Sequence, residues 1–292
     1  MKLRTLLTLG RTSNLPTVWS NVLAGAVLSG AEFGAAPIAI LLLCGSAFYE
    51  GGMFLNDAFD ADVDARERPG RPIPSGLVSR ATVYAIGYGL LAAGLLLLAV
   101  AAALSLVQPG PLVVVAGLGT CAAVLAYNRW HKGHAWSPIV MGACRAGLYV
   151  TAAFAVSPQL GRMLLLGAAA LWLYIIGLTH VARFETGKAM DRAWVSAFVF
   201  APLLAALPVV IEQRRALPAL CLALSFGWSL RSLGFALRGG PGNIPRAVVS
   251  LIAGASLVDA LFISLLATPL HVLFALACFL VTLKWQRRIP GT

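Results

Sequence analysis

Between residues 56 and 76 the chain reads NDAFDADVDARERPGRPIPSG, and five of its eleven carboxylates fall between positions 57 and 67. Continued as an α-helix at 100° per residue, Asp57, Asp60 and Asp64 lie within an arc of about 60°, with Asn56 beside them and Asp62 on nearly the opposite face. Three carboxylates on one poorly hydrated stripe repel one another, and a divalent cation relieves that repulsion. The donors are all oxygen, without cysteine or histidine, which points to a hard cation and first to Mg2+. Mg2+ keeps water and draws further ligands from phosphate groups. The arginines just downstream, Arg66, Arg68 and Arg71, suit phosphate oxygens. Asp60, Asp62 and Asp64 also imitate the opening of an EF-hand loop, but its glycine position is Ala65 and its twelfth position Arg71, so calcium is a poor match. The plain alternative is a solvated acidic helix end. Asn56, the helical spacing and the adjacent arginines argue against it.

The elements that must hold this stripe are membrane helices. Hydrophobic residues make up 59% of the 292-residue chain and charged residues 11%, against about 25% charged in soluble domains. Apolar runs of span length recur throughout without period-2 alternation, so the spanning elements are helices rather than barrel strands. Ten spans are expected, near 14–30, 36–55, 81–106, 111–128, 137–156, 163–181, 194–211, 217–237, 247–266 and 269–284. If the last two are one broken helix, the number is nine. No second domain is expected, so residues 1–292 read as one transmembrane unit. With the N-terminus cytoplasmic, seventeen of the 22 Lys and Arg residues fall on the cytoplasmic side and three on the other, a strong positive-inside bias. That bias places the acidic loop in the cytoplasm and accounts for the net charge of +11 without a nucleic-acid partner. Lys2, Arg4 and Arg11 ahead of an apolar run resemble a signal peptide, but Trp19, Asn21 and the lack of a small-residue cleavage site favour a retained span. The five cysteines are scattered one per apolar segment, as small fillers.

Long charged loops on one face of a bundle are where function is expected. Arg11 and Asn14, in GRTSNLPTVWSN, enter the first span at the same mouth as the acidic stripe. Four ionisable residues, Glu50, Arg145, Arg231 and Asp259, fall within spans, where mutual salt bridges across helices are the expected way to satisfy them.

The motif Asn56-Asp57-x-x-Asp60-x-x-x-Asp64 at the end of the second span, followed by Arg71-Pro72-Ile73-Pro74-Ser75-Gly76, resembles the UbiA superfamily of intramembrane prenyltransferases. The resemblance extends over the whole chain in length, span order and loop sizes. It implies an all-α bundle around a central cavity open laterally to lipid. Two acidic motifs would face each other at the cavity mouth, with Mg2+ bridging them to an isoprenyl diphosphate. On that basis Asn56, Asp57, Asp60 and Asp64 form the first Mg2+-diphosphate site. Tyr127, Arg129 and Lys132 in YNRWHKG take the place of the family's diphosphate-contacting residues after span 4. After span 6 the family has several aspartates, and this chain departs from the pattern with GLTHVARFETGKAMDR. Glu185 is left as the one well-placed acid and as a metal ligand. Arg183 and Lys188 beside it are expected to neutralise diphosphate in place of a second metal. THVARFETG further resembles an EboC-like branch associated with export of secondary metabolites. The expected function is Mg2+-dependent transfer of an isoprenyl group to a lipophilic, aromatic or other small-molecule acceptor in the cell (inner) membrane. The alternative is an isoprenoid-binding component of an export system.

Overall fold

The computed structural model describes residues 3–132, 134–186, 193–238, 242–266 and 268–291. Within these the chain is helical, in the order α1 (Leu3–Leu9), α2 (Leu15–Leu28), α3 (Ala35–Glu67), α4 (Arg80–Ala103), α5 (Leu112–Trp130), α6 (Ser137–Phe154), α7 (Arg162–Ala182), α8 (Ala201–Gln213), α9 (Ala216–Arg238), α10 (Asn243–Ser264) and α11 (Pro269–Gln286). Short 3-10 turns cover Thr12–Asn14 and Arg183–Thr186, and a longer one, Ala193–Phe200, leads into α8. Each of the ten expected spans corresponds to a helix. The last two are separate helices, α10 and α11, packed against each other.

Among the described residues, eight helical segments are long and apolar enough to cross a membrane. The two expected spans outside that set are α2, which has only 14 residues, and α6, which carries Ser137, Arg145, Tyr149 and Thr151. α6 packs against α2, α5 and α7. α2 packs against α3, α6, α10 and α11, and all but one of its residues are buried. α10 is almost wholly buried and α7 largely so, while α9 and α11 are mostly exposed. The interior is therefore built from α2, α7 and α10. The outer helices turn large side chains such as Leu43, Leu96 and Leu118 outward, as expected where lipid is the solvent. The chain is a multi-pass membrane protein.

The length of α3 positions the acids. Its 33 residues extend roughly 50 Å at 1.5 Å per residue, against a hydrocarbon core of about 30 Å. The last turns, which carry Asn56 to Asp64, therefore reach past the apolar layer. The connection to α4 folds back over them. Backbone bonds run from Arg68 N to Asp64 O (2.7 Å), Arg71 N to Arg68 O (3.0 Å) and Gly76 N to Ile73 O (3.0 Å). Gly76 closes that turn at φ +75°, a conformation that favours glycine. Ser79 then caps α4 by accepting from Thr82 N at 3.1 Å.

Close approach of α2 and α6 needs Gly25. A Cβ there would stand 2.5 Å from the Tyr149 carbonyl oxygen, far inside van der Waals contact. This interface also carries a buried polar cluster. The Asp259 carboxyl group of α10 accepts from Ser20 Oγ (2.5 Å), Tyr149 Oη (2.5 Å) and Asn21 Nδ2 (2.8 and 2.9 Å). Buried polar groups are retained when satisfied in this way.

Candidate functional site

The stripe on α3 forms as its periodicity requires. Asn56, Asp57, Asp60 and Asp64 are buried, whereas the Asp62 side chain is 77% exposed and binds Arg80 Nη1 at 3.0 Å on the opposite face. Each buried carboxylate has a cationic partner. Asp57 Oδ1 meets Arg11 Nη2 at 3.3 Å and Arg71 Nη1 at 3.0 Å, and Arg71 Nη1 also lies 3.5 Å from Asp64 Oδ2. Asp60 is held by Lys132 Nζ at 3.0 Å and by His131 Nε2 at 3.3 Å.

Arg11 reaches Asp57 from a left-handed backbone conformation, φ +44°, which costs a non-glycine residue about 1–2 kcal/mol. Its Nη2 also donates to Asn56 Oδ1 at 3.2 Å. Burial is the largest single influence on Arg11 and disfavours its charge. Asp57, Tyr49, Tyr127 and Asp60 together outweigh burial and raise its pKa. The guanidinium therefore stays charged at the mouth. Asn56 Nδ2 donates to Asn128 Oδ1 (3.2 Å), and Asn128 Nδ2 donates to the Gly52 carbonyl (3.0 Å). These bonds fix the end of α3 to α5.

Behind the acids lies a cavity of about 260 Å³. Arg11, Asn14, Arg68 and Arg71 border it at the acidic end, with Tyr127 and Asn128 beside them. Further in, the walls are Phe48, Val124 and Leu148 on one side and Ile175, Leu178, Val248 and Ile252 on the other. The C-terminal segment closes over part of the mouth. The Gly291 carbonyl accepts from Asn14 Nδ2 (2.9 Å), and Gln286 Nε2 donates to Asn14 Oδ1 (2.9 Å).

Not every residue expected at the site is brought to it. Arg66 and Arg129 are exposed and lie outside the cavity lining. Arg183 turns toward the connection after α5, donating to the carbonyls of His134 and Ala135 and to Ser137 Oγ at 3.0 Å. The Glu185 side chain, Lys188, Asp191 and Arg192 lie outside the described residues.

The within-span charges depart from the expected mutual salt bridges. Among the described residues, Arg145 binds Asn21 Oδ1 and Thr17 Oγ1 and reaches Asp259 only through Asn21. Glu50 accepts from Thr12 (3.0 Å), and Arg231 sits over the rings of Trp228 and Phe235. Neutral polar groups and aromatic faces stabilise these charges at less desolvation cost than buried ion pairs.

His131, Asn128 and Tyr49 were not singled out from the sequence. For His131 a signal existed: it stands four residues after Tyr127, on the same helical face, and stacks on its ring at a centroid distance of 4.8 Å. Arg129, two residues from Tyr127, points elsewhere by the same periodicity.

The donor set suits a hard cation. Among the described residues no three His, Cys, Asp or Glu side chains converge on one point, so the protein offers one or two carboxylates per ion. That is how Mg2+ is commonly held, with water and substrate phosphate completing its shell.

Arginines paired with a row of buried carboxylates border one end of a cavity whose inner walls are mostly apolar. The sequence model of the UbiA prenyltransferase family matches residues 18–288, and the chain belongs to that family. It is 31% identical over 217 residues to a digeranylgeranylglyceryl phosphate synthase of Halobacterium salinarum, covering 73% of this chain and 71% of the relative. It is 30% identical over 145 residues to the digeranylgeranylglyceryl phosphate synthase of Metallosphaera sedula, covering 50% of this chain and only 39% of that relative. The fold is similar to that of a UbiA homologue from Archaeoglobus fulgidus bound to GPP and Mg2+, with a TM-score of 0.63 and 14% identity over 94% of this chain and 99% of the other.

Proposed function

We propose that the protein transfers an isoprenyl group from an isoprenyl diphosphate to a lipophilic acceptor within the membrane. One observation carries this reading: three buried carboxylates on one stripe of α3 are each paired with a cation, and two of those cations, Arg11 and Arg71, line the end of a cavity whose inner walls are mostly apolar. Relatives named for a prenyl-lipid synthesis, and a homologue bound to GPP and Mg2+, support it.

Asp57, Asp60 and Asp64, with Asn56 beside them, would hold Mg2+. The chemistry the bound ion supplies is neutralisation of the charge that gathers on the departing diphosphate. Arg11, Arg68 and Arg71 bind diphosphate oxygens directly from the same rim. When diphosphate arrives, Arg11 and Arg71 exchange Asp57 for phosphate oxygens and free the carboxylate. The allylic C–O bond then breaks and its electron pair leaves with the diphosphate. The acceptor nucleophile forms the new bond to the allylic carbon and gives up its proton to the departing diphosphate. The apolar walls hold the isoprenyl chain and exclude water, which would otherwise capture the allylic cation. Tyr127 flanks the mouth, where its ring face stabilises developing positive charge. The Lys and Arg bias argues for a cytoplasmic mouth, where a soluble diphosphate is available.

The test is to incubate purified full-length protein with radiolabelled geranyl, farnesyl and geranylgeranyl diphosphates and a membrane lipid extract, with and without Mg2+. Mg2+-dependent transfer of label into a new lipid supports the enzyme. Tight binding without turnover contradicts it and favours the isoprenoid-binding alternative.

A further inference from the structure

Arg231 is a cation within the apolar length of α9, and prenyl transfer makes no use of it. Arg231, Phe235 and Arg238 follow one another at i, i+4 and i+7, so they form one stripe on that helix. Arg246, from the first turn of α10, joins them. The guanidinium carbons of Arg231, Arg238 and Arg246 lie 5.4, 6.0 and 5.9 Å from the centroid of the Phe235 ring. All three arginines are exposed, and none lines the cavity. None is within ion-pair distance of a carboxylate among the described residues. The patch is separate from the acidic mouth.

Three like charges gathered on one ring repel one another, and Arg246 adds a second cost. It stands at the N-terminal end of α10, where positive partial charge already collects and where the first turn carries no acid. Aromatic contact offsets part of this. Arg231 also lies over Trp228 at 4.8 Å. Trp228 is fixed in turn, by its Nε1 donating to the Ser250 carbonyl at 2.8 Å and by an edge-on contact with Phe279 at 4.7 Å. A ring takes up the face of a guanidinium and leaves the N–H donors on its edge, which suit phosphate oxygens.

Depth decides which anion fits. α9 ends at Arg238, so Arg231 stands roughly 10 Å short of the helix end. Leu230, Leu237 and Phe226 on the same helix are exposed, and α9 as a whole turns most of its surface outward, as a helix facing lipid does. A soluble anion meets the helix end but not Arg231. The phosphate of a membrane lipid reaches both, because arginine extends its charged head toward the interface while the acyl chains run over the leucines. The Lys and Arg bias argues for a cytoplasmic position of this end, where the leaflet is anionic.

We propose that the outer face of α9 and α10 at Arg231, Arg238 and Arg246 is a binding site for an anionic phospholipid of the surrounding bilayer, held by its headgroup phosphate. Charge-assisted hydrogen bonds from the three guanidiniums neutralise the phosphate and relieve their mutual repulsion. The lipid is a structural partner on the outside of the bundle, not a substrate, and the site does not depend on the prenyl-transfer reading. α10 also supplies Val248 and Ile252 to the cavity, so the lipid braces a helix that forms the cavity wall.

The experiment titrates dioleoyl phosphatidylglycerol and dioleoyl phosphatidylcholine separately into the full chain in a non-ionic detergent, and native mass spectrometry reads the affinity of the first bound lipid. Each arginine beside an anionic headgroup contributes roughly fivefold, so the anionic lipid should bind at least about tenfold tighter than the zwitterionic one. Replacing all three residues, Arg231→Gln, Arg238→Gln and Arg246→Gln, should bring the ratio to within about twofold. A control that removes the same charge from the opposite membrane side, Arg162→Gln, Arg214→Gln and Arg215→Gln together, should keep the preference. Arg231→Gln alone changes one exposed side chain and should lower the preference roughly fivefold, which keeps the test decisive if the triple variant does not fold. The proposal is overturned if the unsubstituted protein does not distinguish the two lipids, if the Arg231, Arg238 and Arg246 replacements leave the preference intact, or if the control loses it equally. Equimolar inorganic phosphate or a soluble polyglutamate peptide should leave the lipid bound. Displacement by either would assign the patch to a soluble anion and overturn the lipid site.

Discussion

Asp57→Asn separates diphosphate binding through metal from diphosphate binding through arginine. The Asp57 side chain is 8% exposed and accepts from Arg11 at 3.3 Å and Arg71 at 3.0 Å. Hydrogen bonds to charged groups contribute about 1.5–3 kcal/mol each. Arg71 retains Asp64 at 3.5 Å, so the stability lost is close to the contribution of one such bond, about 1.5–3 kcal/mol. The same bonds hold both guanidiniums back from an incoming diphosphate. Without Mg2+, therefore, the amide should leave diphosphate affinity unchanged or tighten it by a few-fold. With Mg2+ the sign reverses, because a carboxylate ligand has been replaced by a neutral one. Groups that merely support a metal ligand cost 10–100-fold when removed, so loss of the ligand itself should cost at least about 100-fold in Mg2+-dependent affinity. The assay is calorimetric titration with a non-reactive isoprenyl thiodiphosphate, once in Mg2+ and once in EDTA, and the readout is the ratio of the two affinities. Equal weakening in both buffers would refute the reasoning, since Asp57 would then act only by positioning the arginines.

Asp62→Asn serves as the companion case on the exposed face: its pair with Arg80 is worth about 0.2–1 kcal/mol, and the same titration should show no change in the Mg2+ ratio. Gly25→Ala should lower thermal stability by about 1–3 kcal/mol through overpacking against the Tyr149 carbonyl, read as a fall in Tm of the purified protein; an unchanged Tm would contradict the close α2–α6 approach. Ser75→Cys, in a background with the five native cysteines replaced, should react with a membrane-impermeant maleimide only in inverted vesicles, and labelling of intact cells would reverse the proposed orientation.

The stripe was legible because a helix has one period. Spacings of three and four placed Asp57, Asp60 and Asp64 together and sent Asp62 to the far side, where Arg80 holds it. The spans were legible because in lipid an apolar run of that length has few alternatives to a helix. Contacts that depend on tertiary closure were less accessible. Arg71 reaches Asp57 across fourteen residues only because the connection through Gly76 folds back on α3. Arg183 carries the charge of a diphosphate ligand and also donates to the carbonyls of His134 and Ala135, a use that composition alone does not reveal. The four within-span charges were expected to pair because opposite charges attract. Instead serine, threonine, asparagine and aromatic rings, each ordinary in sequence, satisfy them. Arg231 stands out only when its partners are counted.

The central claim is that the acidic stripe of α3 holds a metal-diphosphate at the cavity mouth. The most direct measurement is a structure of the protein with Mn2+ in place of Mg2+ and an isoprenyl thiodiphosphate, solved with anomalous scattering data. The account predicts an anomalous peak within about 2.0–2.3 Å of an Asp57 or Asp60 carboxylate oxygen, with the diphosphate sharing that ion, Arg71 on a phosphate oxygen and the isoprenyl chain between Leu148 and Ile175. A diphosphate held by arginines alone, with Asp57 still paired to Arg11 and Arg71 and no metal on the stripe, would contradict it.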